Sequence, residues 1–421
     1  MASSSSDEDG FPQYENADVQ IMLSPIRVLR LHSDVLKGTS SVFKQLLTNE
    51  NAAVLSNKTK AAGFRLRHHI ELVGATPELI GRLRAIRLDT KGRTIDDGGP
   101  RANMALDGNG RDPSCHILDD WYNVMAAIYG QKIEIGSAED GLFSLLKRTD
   151  NIIGICSHLK LKKSIVFSPV EVALLNTNQY LWDAIQGAPI EWLDVAVSLQ
   201  SVPMFRETVI HLVGQWDRLS SNDKNTLPRK VYELCHRKAE KFKQHKKTIE
   251  NKILEYRPKE ISYTKGEDPA LGKRNLQPKI FNWIAFSGLQ LWLMKAFRDG
   301  KGVDGPDGGF DLFSRLFAGH EEYYDREDQT RYVGVSQSGR AVVTQWIDDM
   351  KKDLKKMVAS TMTSSLRMDT RSNKIDYFSC FEVELRHCPW VEEDAGPQYD
   401  DDVDLGDLEE DMSDEEMFDE D

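Results

Sequence analysis

Residues 18–47 read DVQIMLSPIRVLRLHSDVLKGTSSVFKQLL, and two periodicities follow one another along them. Val19, Ile21 and Leu23 alternate with neighbouring residues of the other face. Ser24-Pro25 then breaks the run, and Ile26 to Leu31 begins a second one. Period-two alternation on both sides of a turn predicts a β-hairpin. From Ser33 the apolar positions Val35, Leu36, Val42, Phe43, Leu46 and Leu47 recur at helical spacing instead. Ser33-Asp34 can cap that start, because short polar side chains accept from free backbone N–H groups. Ser40-Ser41 is a place where the helix can divide in two.

Outward from this stretch, Leu66, His68, Ile70 and Leu72 share one face of a third strand over 65–72. Residues 77–88 read as a helix. Residues 89–114, rich in Gly, Asp, Asn and Arg, read as a mobile insertion. Trp121, Val124, Met125 and Ile128 place a helix over 119–129, ended by Gly130. Ile133 and Ile135 suit a short strand, and 138–146 and 152–161 two further helices. The chain to about Lys356 is mostly helical by periodicity. Residues 228–256 form a long amphipathic helix with a basic face, residues 299–309 a Gly/Asp loop, and residues 377–385 a late strand.

The segment from Asp18 through His32-Ser33-Asp34-Val35-Leu36 to Ser40 and Phe43 resembles the start of BTB/POZ domains. There, an Asp opens a hairpin, His-x-x-Val-Leu follows, and a Ser precedes a Phe by three positions. Residues 118–135 and 138–161 resemble that family's later helix, short strand and closing helices. The likeness spans residues 18 to about 165, and the architecture resembles fungal BTB proteins with a helical extension. It implies an α+β fold, a small sheet covered by helices, followed by a mainly α-helical region with disordered acidic termini. The implied division is a disordered 1–16, a BTB/POZ domain over 17–165 with an insertion at about 74–115, a helical extension over 166–390, and a disordered acidic tail over 391–421. The signature residues are Asp18, His32, Val35, Leu36, Ser40 and Phe43. The apolar ones build the helical core, and His32 hydrogen-bonds backbone where strand gives way to helix. Asp18 either caps local backbone or lines the charged pocket of BTB dimers. Ser33 stands where the dimeric branch carries a basic residue.

The net charge of −13 is unevenly spread. Residues 392–421 hold seventeen Asp or Glu and no Lys or Arg, and without them the remainder carries +4. Within this tail Leu405, Leu408, Met412, Met417 and Phe418 are interleaved with acid, as in amphipathic interaction segments. Five cysteines with no C-x-x-C argue against a disulfide framework or a structural zinc site, and for reduced thiols in the cytoplasm or nucleus. The N-terminus reads as no secretory signal. The apolar stretch 280–297 carries Asn282, Gln290 and Lys295, and reads as a buried core helix rather than a membrane span.

Gly300-Lys301-Gly302-Val303-Asp304-Gly305 matches G-x-G-x-x-G, but a helix precedes it and Pro306 follows, so it reads as a plain loop. His68 and His69 adjoin on a strand and point to opposite faces, which disfavours a shared metal. No nucleophile–base order or P-loop occurs. No enzyme activity, cofactor or metal is expected. Lys230, Arg237, Lys238, Lys241, Lys243, Lys246 and Lys247 could meet nucleic acid, though a solvated helix face is the plainer reading. The expected function is a protein–protein adaptor. The resemblance implies protein partners: self-association into a homodimer and a cullin-type ubiquitin-ligase scaffold. The alternative is a nuclear regulator that binds basic, histone-like partners through the acidic tail.

Overall fold

The computed structural model describes residues 11–102, 115–135, 142–258, 276–319, 322–325 and 336–391. Strands β1 (Val19–Ser24) and β2 (Arg27–Leu31) form the expected hairpin, with Ile21 opposite Leu29. Helices α1 (Ser33–Thr39) and α2 (Ser41–Leu46) follow, divided at Ser40. The Ser40 hydroxyl accepts from the amides of Val42 and Phe43 at 3.1 and 3.2 Å. It also donates to the Leu159 carbonyl, so the break in the helix is stitched to a segment more than a hundred residues away. After α3 (Asn57–Ala61) comes β3 (His68–Val73), parallel to β1 with Ile70 beside Ile21. A parallel pair needs a long crossover, and the stretch through β2 and the three helices supplies it.

The fourth strand, β4 (Arg82–Ile86), runs antiparallel to β3, giving the order β2-β1-β3-β4. This corrects the helix expected over 77–88. Gly81 sits at φ +72°, and a Cβ there would lie 2.8 Å from the Ala75 nitrogen and 2.9 Å from the Val73 carbonyl oxygen. Only glycine makes so tight a reversal at no steric cost, and it turns the chain back along β3. Every residue of β3 is buried. Glu71 accepts from the Ala102 amide at 3.0 Å and pairs with Arg101 at 3.0 Å, while His69 Nε2 lies 3.0 Å from the same carboxylate. Up to residue 102, then, the segment expected as a mobile insertion is held against the sheet. Residues 103–114 lie outside the described residues.

Packing also begins earlier than expected. Phe11 meets the rings of Tyr122 and Tyr129 at 5.2 and 5.7 Å, and Tyr14 stacks on Tyr129 at 5.4 Å. Phe11 and Tyr14, within the segment expected to be disordered, are therefore packed on the fold. Residues 1–10, and the acidic tail from 392, are outside the described residues.

Helix α4 (Cys115–Ile128) packs on α5 (Leu142–His158). The structure has one helix where two were expected within 138–161. The polar run at 147–151 reads as a break in the sequence, but it serves the interior. Arg148 donates to Asp120 at 3.0 Å, Asn151 donates to it at 2.9 Å, and Thr149 bonds back to the Leu145 carbonyl. Burial raises the Asp120 carboxyl pKa even so. Five more helices follow: α6 (Lys163–Leu175), α7 (Gln179–Gly187), α8 (Pro189–Leu199), α9 (Val202–Gly214) and the short α10 (Ser221–Thr226). Next is α11 (Arg229–Glu255), as the amphipathic pattern predicts, then α12 (Leu276–Arg298), α13 (Phe310–Ala318) and α14 (Gln337–Met362). The fold is thus a small four-stranded sheet followed by a mainly helical region. One hydrophobic cluster runs through both, from Val19 to Cys388.

The strand expected at 377–385 is absent from the described residues. Segment 363–391 instead crosses the helices as irregular backbone. Glu207 of α9 accepts from the amides of Arg367 and Met368 at 2.8 and 3.0 Å, and Phe378 and Phe381 pack edge-on against Phe242 of α11. The alternation at 377–385 reflects side chains plugging into a helical core, with no strand alongside among the described residues.

Candidate protein-docking surface

Helix α14 packs against both α12 and α13. Ala285, Leu289, Leu293 and Ala296 form the buried stripe of α12. Leu312, Phe313 and Leu316 are buried on α13, and Val343, Ile347, Met350, Leu354 and Val358 on α14, which lies against both helices. Spacings of three and four residues put each set on one helical face. Gly288 lets the chain at 323–324 come close, since a Cβ there would fall 2.1 Å from the Tyr324 hydroxyl. The buried Lys351 ammonium lies 4.7 Å from the Tyr323 ring centre and donates to the Tyr324 carbonyl at 3.2 Å. Carbonyl and ring face together offset part of the cost of burying the charge.

The opposite face of α12 is open. Ile280, Trp283, Leu291 and Met294 are 55, 47, 62 and 59% exposed. Ser287, also exposed, fills the gap between them, so positions 280, 283, 287, 291 and 294 make one continuous stripe at three- and four-residue steps. Reading 280–297 as a core helix is therefore half met. The helix is apolar on every side, and such a pattern does not reveal which side has a neighbour. Clustered exposed apolar side chains of this kind mark interaction sites. Among the described residues, no helix is long and apolar enough to cross a membrane.

The loop after α12 is anchored to α11. The Val303 amide donates to Glu250 at 3.1 Å, Lys247 pairs with Asp304 at 3.1 Å, and Lys246 donates to the Gly308 carbonyl at 2.8 Å. Lys246 is buried against Phe378 and Phe242, with its ammonium 4.8 and 5.3 Å from the ring centres, and burial lowers its pKa. The G-x-G-x-x-G segment thus wraps a buried lysine and an α11 carboxylate. It follows a helix rather than a strand, as the sequence indicates. Of the basic residues expected on one face of α11, Lys246 is internal and Lys247 is paired.

The six signature residues lie together at the sheet-to-helix junction. Asp18 accepts from the Ser33 amide at 2.7 Å, so it caps the start of α1. The His32 amide donates to the Tyr129 hydroxyl at 2.8 Å, its Nε2 lies 2.7 Å from Asn16 Oδ1, and its ring packs on Tyr14. Leu36 and Phe43 are fully buried, whereas Val35 is exposed. In this arrangement they set local backbone and core.

Cavities accompany the fold. One, of about 850 Å³, lies between α4, residues 131–135 and the end of α6, and is lined by Asp119, Asn123, Glu134, Arg148 and Asn176 among others. Another, of about 250 Å³, lies beside Lys246. Among the described residues no three His, Cys, Asp or Glu gather as metal ligands. Cys156, Cys235, Cys380 and Cys388 are free thiols, and burial pushes the pKa of the first three up to about 12. They are poor nucleophiles at neutral pH.

Comparison with protein-family models matches residues 258–360 to an FF domain, in its fungal form. The stretch holds α12, α13 and all but the last two residues of α14. No BTB/POZ model matches, so the expected membership of that family is corrected: the recognisable module lies in the helical region and not at the hairpin. The Asp/His/Val-Leu/Ser/Phe spacing that carried the likeness has local structural uses, and so is weak as a family signature. The FF domain is a protein-interaction module, so the match over 258–360 points to protein binding. No curated protein and no solved structure matches the chain.

Proposed function

We propose that this protein is a non-enzymatic intracellular adaptor that binds a protein partner through the α12 stripe of Ile280, Trp283, Leu291 and Met294. The observation that carries the reading is the position of that stripe: an exposed helix face bearing two apolar pairs, Ile280/Trp283 and Leu291/Met294, on either side of Ser287, inside the segment matched to an interaction module. The partner chemistry that fits is an apolar helical or extended segment, which would bury the four side chains at about 25 cal/mol per Å² of apolar area removed from water. The buried, poorly nucleophilic thiols support a reducing compartment and a non-catalytic role. The homodimer and the cullin-type scaffold belong to the overturned resemblance and are not carried forward.

The test compares proteins retained by the wild-type chain with those retained by Leu291→Glu and Met294→Glu variants of unchanged stability. Partners lost from both variants support the proposal. An identical set retained by wild type and variants would remove the stripe from the interface.

A further inference from the structure

We infer that residues 403–412 of the chain's own acidic tail are the resident occupant of the α12 stripe, so that an external partner must displace them. The inference rests on reading that stripe as a docking face and names what covers it when no partner is bound.

Charge is the first argument. Helix α12 carries Lys279, Lys295 and Arg298, the last paired with Asp299 just beyond the helix at 3.7 Å, and not one Asp or Glu within its 23 residues. Residues 392–421 carry seventeen carboxylates and no Lys or Arg. A face that is both apolar and free of carboxylates suits a ligand that is both apolar and acidic. The exposed side of α11 suits it less. That helix mixes its basic residues with acid, as in the Arg229–Glu233 pair at 2.8 Å, and its apolar residues, Leu254 apart, are turned inward.

Spacing is the second argument. Leu405, Leu408 and Met412 stand at i, i+3 and i+7, the anchor pattern of a helix laid into an apolar groove. Asp407, Glu409, Glu410 and Asp411 occupy positions between and Asp404 precedes the first, from which carboxylates can meet cations along the rim of the stripe.

Reach is the third. The described chain ends at Val391, where Trp390 packs edge-on against Phe205 of α9 at 5.4 Å. Helix α9 packs on α11, and α11 packs on α12. The fourteen residues from Val391 to Leu405 can span about 50 Å when extended. That exceeds the length of α12, roughly 35 Å at 1.5 Å per residue. Tethering gives such a segment an effective concentration of order mM, enough to occupy a site of modest affinity.

Zero-length carbodiimide coupling of the full-length chain tests the contact, because it joins a lysine amine to a carboxylate only where the two touch. The expected product links Lys295 to carboxylates of 404–411 and fades as salt is raised. It also fades in the full-length Leu405→Ser/Leu408→Ser/Met412→Ser variant, which keeps every charge. In hydrogen exchange, amides of 280–294 are expected to exchange at least threefold faster in that variant than in wild type. A synthetic peptide of residues 399–421 is expected to restore their protection, and to fail on a chain carrying Leu291→Glu. Tail linkages confined to α11 lysines, or equal exchange over 280–294 in wild type and variant, would overturn the inference. If stripe substitutions abolish partner binding while tail substitutions change nothing, this inference alone falls. If stripe substitutions leave partner binding intact, the proposed function falls as well.

Discussion

The Nδ1 of His211 on α9 lies 2.8 Å from the phenolic oxygen of Tyr377, joining positions 166 residues apart. With Glu207 one helical turn earlier, this contact clamps segment 363–391 onto the helical region. His211 is buried, its Nε2 has no hydrogen-bond partner, and Glu207 Oε1 at 3.9 Å is too far to hold a proton there. Burial accordingly lowers its pKa from 6.5 to about 4.

A pH dependence follows from that depression. In the unfolded chain the imidazole takes up a proton near pH 6.5, while in the folded chain it stays neutral to about pH 4. Its contribution is therefore present above pH 6.5 and is lost as the pH falls from 6.5 to 4, by up to roughly 3 kcal/mol. Glu207 works in the opposite sense. Burial raises its pKa, so its share is retained in acid and declines as pH rises through that value. Denaturant unfolding at pH 7 and pH 4.5 should show a smaller loss of stability for His211→Gln than for wild type. Equal losses would exclude His211 as the group responsible.

The same clamp makes Gly214 intolerant. A Cβ there would sit 2.4 Å from the Phe378 carbonyl oxygen and 2.6 Å from the Tyr377 ring. Backbone at that distance cannot move aside cheaply, so Gly214→Ala should cost about 1–3 kcal/mol. Thermal unfolding of the variant measures it, and an unchanged melting temperature would contradict the close approach.

How far the sequence could be read depended on where each pattern's partner lies. The β1–β2 hairpin, the α1–α2 division and α11 are all legible, because alternation, a Ser-Ser interruption and a basic amphipathic face are local signals, whereas the cap expected from Ser33-Asp34 comes from Asp18 instead. Strand β4 is not legible, since its identity comes from β3 beside it and from the turn that Gly81 permits. Alternation at 377–385 misleads for the converse reason: among the described residues no strand lies alongside, and His211 and Phe242 take up that segment instead. At the candidate site, Trp283, Leu291 and Met294 are visible as apolar residues, but a helix apolar all round hides which of them face solvent.

The signature residues should behave as structural groups. Asp18→Ala removes the acceptor for the Ser33 amide, and Ser40→Ala removes both the α2 cap and the bond to Leu159. Each should cost about 1–2 kcal/mol by denaturant titration. Partner retention per folded molecule should not change. A loss of binding without loss of stability in either variant would return the interaction surface to the hairpin end.

The most direct measurement is the affinity of a retained partner for wild type, Leu291→Glu and Met294→Glu, each shown to melt as wild type does. The stripe predicts at least a tenfold loss for each substitution, equivalent to about 1.4 kcal/mol. Affinities within twofold of wild type for both would contradict the assignment of protein binding to the exposed face of α12.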